Sequence, residues 1–97
     1  MANYIVLMKI TTEGAKNLKD GPQRLAKANE ILAKEGAKIT AGYATLGQYD
    51  YVFVIEGPEN IAKVAKCAAA VAMTGATSVE TLHALPVMDF FKLVAEI

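Results

Sequence analysis

Two stretches of this chain are apolar on both sides of an extended backbone, and that limits what it can fold into. Asn3 to Ile10 reads "NYIVLMKI" and Tyr51 to Gly57 reads "YVFVIEG". Side chains alternate between the two faces of a strand. The first stretch therefore sets Tyr4, Val6, Met8 and Ile10 against Ile5 and Leu7, and the second sets Tyr51, Phe53 and Ile55 against Val52 and Val54. A sheet made from them needs cover on both faces. Helices can cover one. For the other, 97 residues leave little to spare, because a chain this short buries only roughly two-thirds of its unfolded surface.

The remaining elements follow from period and punctuation. After Thr11-Thr12, either of which can cap a short helix carrying Leu18, Asp20-Gly21-Pro22 breaks the run and starts a second helix. That helix aligns Leu25, Ala28 and Leu32 and stops at Gly36. Lys38 to Leu46 alternates as a strand, with Ile39, Ala41 and Tyr43 on one side. Pro58 and Glu59 open a helix whose expected inward stripe is Ile61, Val64, Ala65, Ala68 and Ala72, ending at Gly75. Thr77 to Leu85 is a fourth strand, and Asp89 can cap a last helix with Phe90, Leu93, Val94 and Ile97 at core spacing.

The order strand, helix, strand, strand, helix, strand, then helix predicts one domain, residues 1–97, of the α+β class. Its architecture is the ferredoxin-like βαββαβ fold, an antiparallel sheet with both main helices on one face. The bare face asks for a second copy packed sheet against sheet. Such a pair could bury on the order of 1,500 Å², within the range of stable assemblies. The 54% hydrophobic content points the same way.

Between the second and third strands stands "TLGQYDYVFVIEGPEN", with a Gly-x-Tyr-Asp turn at Gly47, Tyr49 and Asp50, an apolar strand from Val52 to Ile55, then Glu56 and Pro58. With the Thr-x-x-Gly step at Thr11 to Gly14 and Pro-x-Arg at Pro22 to Arg24, the chain resembles the GYD-domain family along effectively its whole length. The resemblance implies a dimeric α+β barrel, with a homodimer or higher oligomer as its assembly. It brings no catalytic residues. The wider superfamily includes cofactor-free oxygenases, isomerases, haem-handling proteins and amino-acid-sensing domains, an analogy of fold alone.

Charge and composition narrow the partners. Ten Lys and Arg balance ten Asp and Glu, so no basic stripe points to nucleic acid. No run approaches the roughly 20 apolar residues of a membrane span, and the N-terminus lacks the basic start of a signal peptide. Cys67 has no cysteine partner within the chain, which fits a reducing cytoplasm. One His and one Cys on different elements give no metal-ligand spacing, and no glycine-rich nucleotide loop is present, so no metal or cofactor is expected.

Three candidate sites remain. In the turn, the structural reading gives Gly47 a positive φ and uses Asp50 to hold backbone N–H groups, while the functional reading makes Asp50 an acid or base and Tyr49 a donor. His83 shares a strand face with Val79, Thr81 and Leu85. A lone histidine among apolar neighbours is most simply structural, yet His83 is the one side chain whose ordinary pKa suits proton transfer near neutrality. Tyr43, Tyr49, Tyr51 and His83 are the candidate ligand-binding residues, with Tyr4 a further companion if His83 looks into the barrel. Lys19 and Arg24, beside the helix start at Pro22, are the candidate anion site. The favoured function is the binding of a small, largely apolar molecule between sheet and helices. The alternatives are a cofactor-independent monooxygenase or isomerase using His83, and a structural oligomerisation module.

Overall fold

The computed structural model describes residues 1–97. In chain order the elements are β1 (Ala2–Ile10), α1 (Thr12–Lys16), a 3-10 turn (Leu18–Asp20), α2 (Gly21–Lys34), β2 (Lys38–Ala44), β3 (Tyr51–Gly57), α3 (Ile61–Ala72), β4 (Thr77–Ala84) and α4 (Val87–Ala95). The strands form an antiparallel sheet in the order β2-β3-β1-β4. The two stretches that are apolar on both sides, β1 and β3, take the centre. This is the expected ferredoxin-like arrangement.

Helices α2 and α3 cover the face that carries Tyr4, Val6, Met8, Phe53, Ile55 and Val79. The buried core lies here and includes Tyr4, Val6, Leu32 and Cys67. Helix α2 contributes Leu25, Ala28 and Leu32, as its spacing predicts. Helix α3 is rotated from expectation. Asn60 caps it, its Oδ1 accepting from the Ala62 N–H at 2.9 Å, so the helix begins at Ile61 rather than Pro58. Val64, Cys67, Ala68 and Val71 then face the sheet, and Ile61 is left 82% exposed. Gly36 and Gly75 close α2 and α3 with φ of 75° each, the left-handed conformation that favours glycine.

The Thr11-x-x-Gly14 step locks the N-terminal half to the far end of α3. Thr11 Oγ1 accepts from the Gly14 N–H at 3.0 Å and donates to the Gly75 carbonyl at 2.6 Å. The Thr11 N–H donates to the Ala76 carbonyl at 3.1 Å. Gly14 is buried against that same peptide.

The opposite face of the sheet carries Ile5 and Leu7 on β1, Val52 and Val54 on β3, and Leu82 on β4. Both main helices lie on the other side, and the molecule's smallest dimension is 18 Å, the thickness of one helix layer and one sheet. A β-bulge between Ile39 and Ala41 changes the reading of β2. Ile39 pairs with Ile55 and lines the helix-side core, while Ala41 and Tyr43 pair with Val54 and Val52 on the open face. The extra residue reverses the alternation, as bulges do.

Candidate functional site

The Gly-x-Tyr-Asp turn is built to hold strands together. Gly47 has φ 132°. Asp50 Oδ2 accepts from the Ile10 N–H at 2.7 Å, the Asp50 N–H donates to the Met8 carbonyl at 2.8 Å, and the Asp50 carbonyl accepts from the Thr45 N–H at 2.8 Å. Thr45 Oγ1 donates to the Tyr49 carbonyl at 2.6 Å. The aspartate thus extends the pairing of β3 with β1 past the end of the ladder, satisfying a backbone donor that the sheet leaves over. Asp50→Ala is expected to lower stability by about 1–3 kcal/mol, because a half-buried N–H loses its acceptor. Asp50→Asn should cost less, since Oδ1 still accepts. Chemical denaturation of the two variants checks this; equal stability of Asp50→Ala and the parent would contradict it.

Tyr49 reaches across the end of the open face. Its hydroxyl donates to Glu80 Oε2 at 2.6 Å, and Lys9 Nζ stands 5.5 Å from its ring centroid. The hydrogen bond to the Glu80 carboxylate raises the Tyr49 pKa above its ordinary value. Tyr43 is 62% exposed near the β2 end of the same face.

The other candidates lie on the helix side and apart. His83 is opposite Tyr4 in the β1–β4 register, and the two rings stack with centroids 4.9 Å apart. Tyr4 is buried, its hydroxyl donating to the Pro58 carbonyl at 2.6 Å, while His83 is exposed. Tyr51 is opposite Met8, four residues further along β1, which is about 13 Å at the usual strand rise. So the fold joins Tyr4 to His83, places Tyr51 at the other end of that face, and puts Tyr43 and Tyr49 on the opposite side.

Two spaces open on the helix side. A narrow cavity of about 80 Å³ between sheet and helices is lined mainly by core residues such as Val6, Leu32, Ile55 and Cys67. A groove of about 570 Å³ runs beneath the first half of α2, between Met8, Ile10, Tyr51 and Phe53 of the sheet, Leu25 and Ile31 of α2, and Val71 and Thr74 near the end of α3. Arg24 and Lys27 are the charged side chains that line it. Arg24 Nη1 also donates to the Asn17 carbonyl at 2.9 Å. Lys19 lies in the 3-10 turn and does not line the groove. His83 lines neither space.

One feature lay beyond the reach of sequence reasoning. Lys66 pairs with Glu35 at 2.8 Å, tying α3 to the end of α2, and this bond holds the Glu35 carboxyl below its usual range. Burial pushes the Cys67 thiol up, as expected of a small core residue in α3. No group of three or more His, Cys, Asp or Glu comes together, and no helix is long and apolar enough to cross a membrane.

The chain is similar to a Thermus thermophilus protein named "Glutamine synthetase and cystathionine beta-lyase binding protein", with 39% identity over 90 residues, covering 92% of this chain and 94% of that one. The family model of the GYD domain matches residues 4–94, which takes in all of the sheet but the first two residues of β1, the Thr-x-x-Gly step, the Gly-x-Tyr-Asp turn and most of α4. The chain therefore belongs to the GYD-domain family.

Proposed function

We propose that this chain is a non-catalytic, self-associating binding protein that docks onto metabolic enzymes. The observation that carries the reading is the open sheet face, where Ile5, Leu7, Val52, Val54 and Leu82 form an apolar surface on the side away from α2 and α3. A second copy covering that face makes a homodimer with both helix layers outward. The name of the Thermus relative supports the protein-binding role. It makes glutamine synthetase and cystathionine beta-lyase the first partners to try. Cytoplasmic residence is part of the proposal, in keeping with the free, buried thiol of Cys67.

The experiment mixes the purified chain with each purified enzyme and follows mass by light scattering during gel filtration. Co-elution with either enzyme at micromolar concentration is the expected result. Separate elution with both would remove the partner assignment.

The groove beneath α2 favours a second binding role. Its volume of about 570 Å³ falls within the range of small-molecule sites. Its apolar lining with Arg24 and Lys27 suits a small, largely apolar molecule bearing one anionic group. Native mass spectrometry of the same preparation reads this directly as retained extra mass. An enzymatic role for His83 has less to draw on, because His83 lines neither space.

A further inference from the structure

Helix α4 is the least covered element of the chain. Every residue of it is exposed, and its six large apolar side chains, Val87, Met88, Phe90, Phe91, Leu93 and Val94, are 44–63% exposed. The chain's radius of gyration is 14.6 Å and its longest dimension 51 Å, whereas a compact domain of this length has a radius of about 12.5 Å. With successive residues about 100° apart around the axis, the six apolar residues span an arc of roughly 220°, leaving Asp89 and Lys92 in a polar strip of roughly 60°. A helix resting on one surface needs an apolar stripe only somewhat wider than about 100°. An arc twice that width calls for contact from two sides.

The size of the open face bears on what supplies that contact. Four strands about 4.8 Å apart, with about seven residues each at about 3.3 Å rise, make a face of roughly 19 by 23 Å. Two such faces closed together cover on the order of 900 Å² in projection, and side-chain relief brings the accessible surface buried to the lower part of the standard range of about 1,200–2,000 Å². Burying the α4 side chains of both copies adds on the order of 1,000 Å² and takes the pair to the upper end of that range. A lipid surface is a poor alternative, because interfacial helices carry several basic residues on the polar face and α4 has Lys92 alone beside Asp89 and Glu96.

We propose that α4 is an exchanged arm: it leaves β4 at Leu85-Pro86 and clasps the second copy, packed on two sides, so that each protomer's last helix completes the other's hydrophobic core. This inference rests on the self-association proposed above and adds to it a specific element and direction.

The test uses the full chain with Phe90→Asp and Leu93→Asp together, alongside the parent. Sedimentation equilibrium is expected to show dimer association weakened about 100-fold or more, while the amide spectrum of β1 and β3 stays in place. In a mixed dimer with one copy isotope-labelled, the Phe90 and Phe91 rings should show contacts to methyl groups of the other copy. That second measurement stands even if the double variant fails to fold. A dissociation constant within about twofold of the parent, or α4 contacts confined to its own copy, would overturn the arm. A dimer in which α4 amides exchange freely would also overturn it while leaving the sheet-to-sheet dimer standing. A parent that is monomeric would overturn both.

Discussion

Val54→Asp is expected to convert the proposed dimer to single folded chains. Val54 sits near the middle of the open face, flanked by Ile5 on β1 and Ala41 on β2. In the isolated protomer the new carboxylate meets water, so folding is little affected. In a symmetric pair the substitution appears twice in one interface. There each carboxylate is removed from water without a partner, at a cost of several kcal/mol. Association should weaken by about 1,000-fold or more, equivalent to roughly 4 kcal/mol. Its neighbour provides the contrast. Phe53 points to the helix side, lining both the core cavity and the groove, and Phe53→Asp should unfold the protomer itself. Sedimentation with circular dichroism separates the two results. A Val54→Asp protein that self-associates as tightly as the parent would mean that the open face is not the contact.

The second large effect lies on the other side of the molecule. Gly14→Ala is expected to destabilise the fold by about 2–3 kcal/mol, toward the upper part of the range for overpacking. A methyl group there would overlap the Ala76 carbonyl oxygen, with the carbonyl carbon 2.9 Å away. Both belong to backbone, which cannot swing aside as a flexible side chain can. The same peptide accepts from the Thr11 N–H, so any relief moves α1 and loosens the Thr11 clamp. For a domain of this size the melting temperature should fall by roughly 10–20 °C. Gly21→Ala is the control: Gly21 has space around it and ordinary helical φ, so that variant should be neutral or slightly more stable. Equal melting temperatures for Gly14→Ala and the parent would contradict the packing described for α1.

Much of this fold was legible because its strongest signals are local. Alternation in Asn3 to Ile10 and Tyr51 to Gly57 marked the two central strands, and Gly36 and Gly75 marked helix ends through the left-handed φ they adopt. The errors arose where one residue shifts a period. The bulge beside Thr40 sends Ile39 and Tyr43 to opposite faces, and no residue type near it announces the irregularity. Capping by Asn60 instead of a start at Pro58 is associated with an α3 stripe that runs through Cys67 and Val71. Helix α4 has core spacing, but spacing does not say whose core it enters.

The candidate site divided along the same line. Tyr4 and His83 share a face because both lie on regular strands in register. Tyr43 parted from Tyr51 because the bulge lies between their strands' pairing and simple alternation. The bonds of Asp50 to Ile10 and Met8 depend on β1 being adjacent to β3, a long-range fact that the turn's own four residues do not contain.

Sedimentation velocity of the parent chain across the micromolar range tests the central claim most directly. A sheet with two apolar faces and helices on one of them predicts a species of twice the 10.3 kDa chain mass or larger at every such concentration. A stable species at the mass of one chain would show that the open face rests against water unaided, contrary to this account.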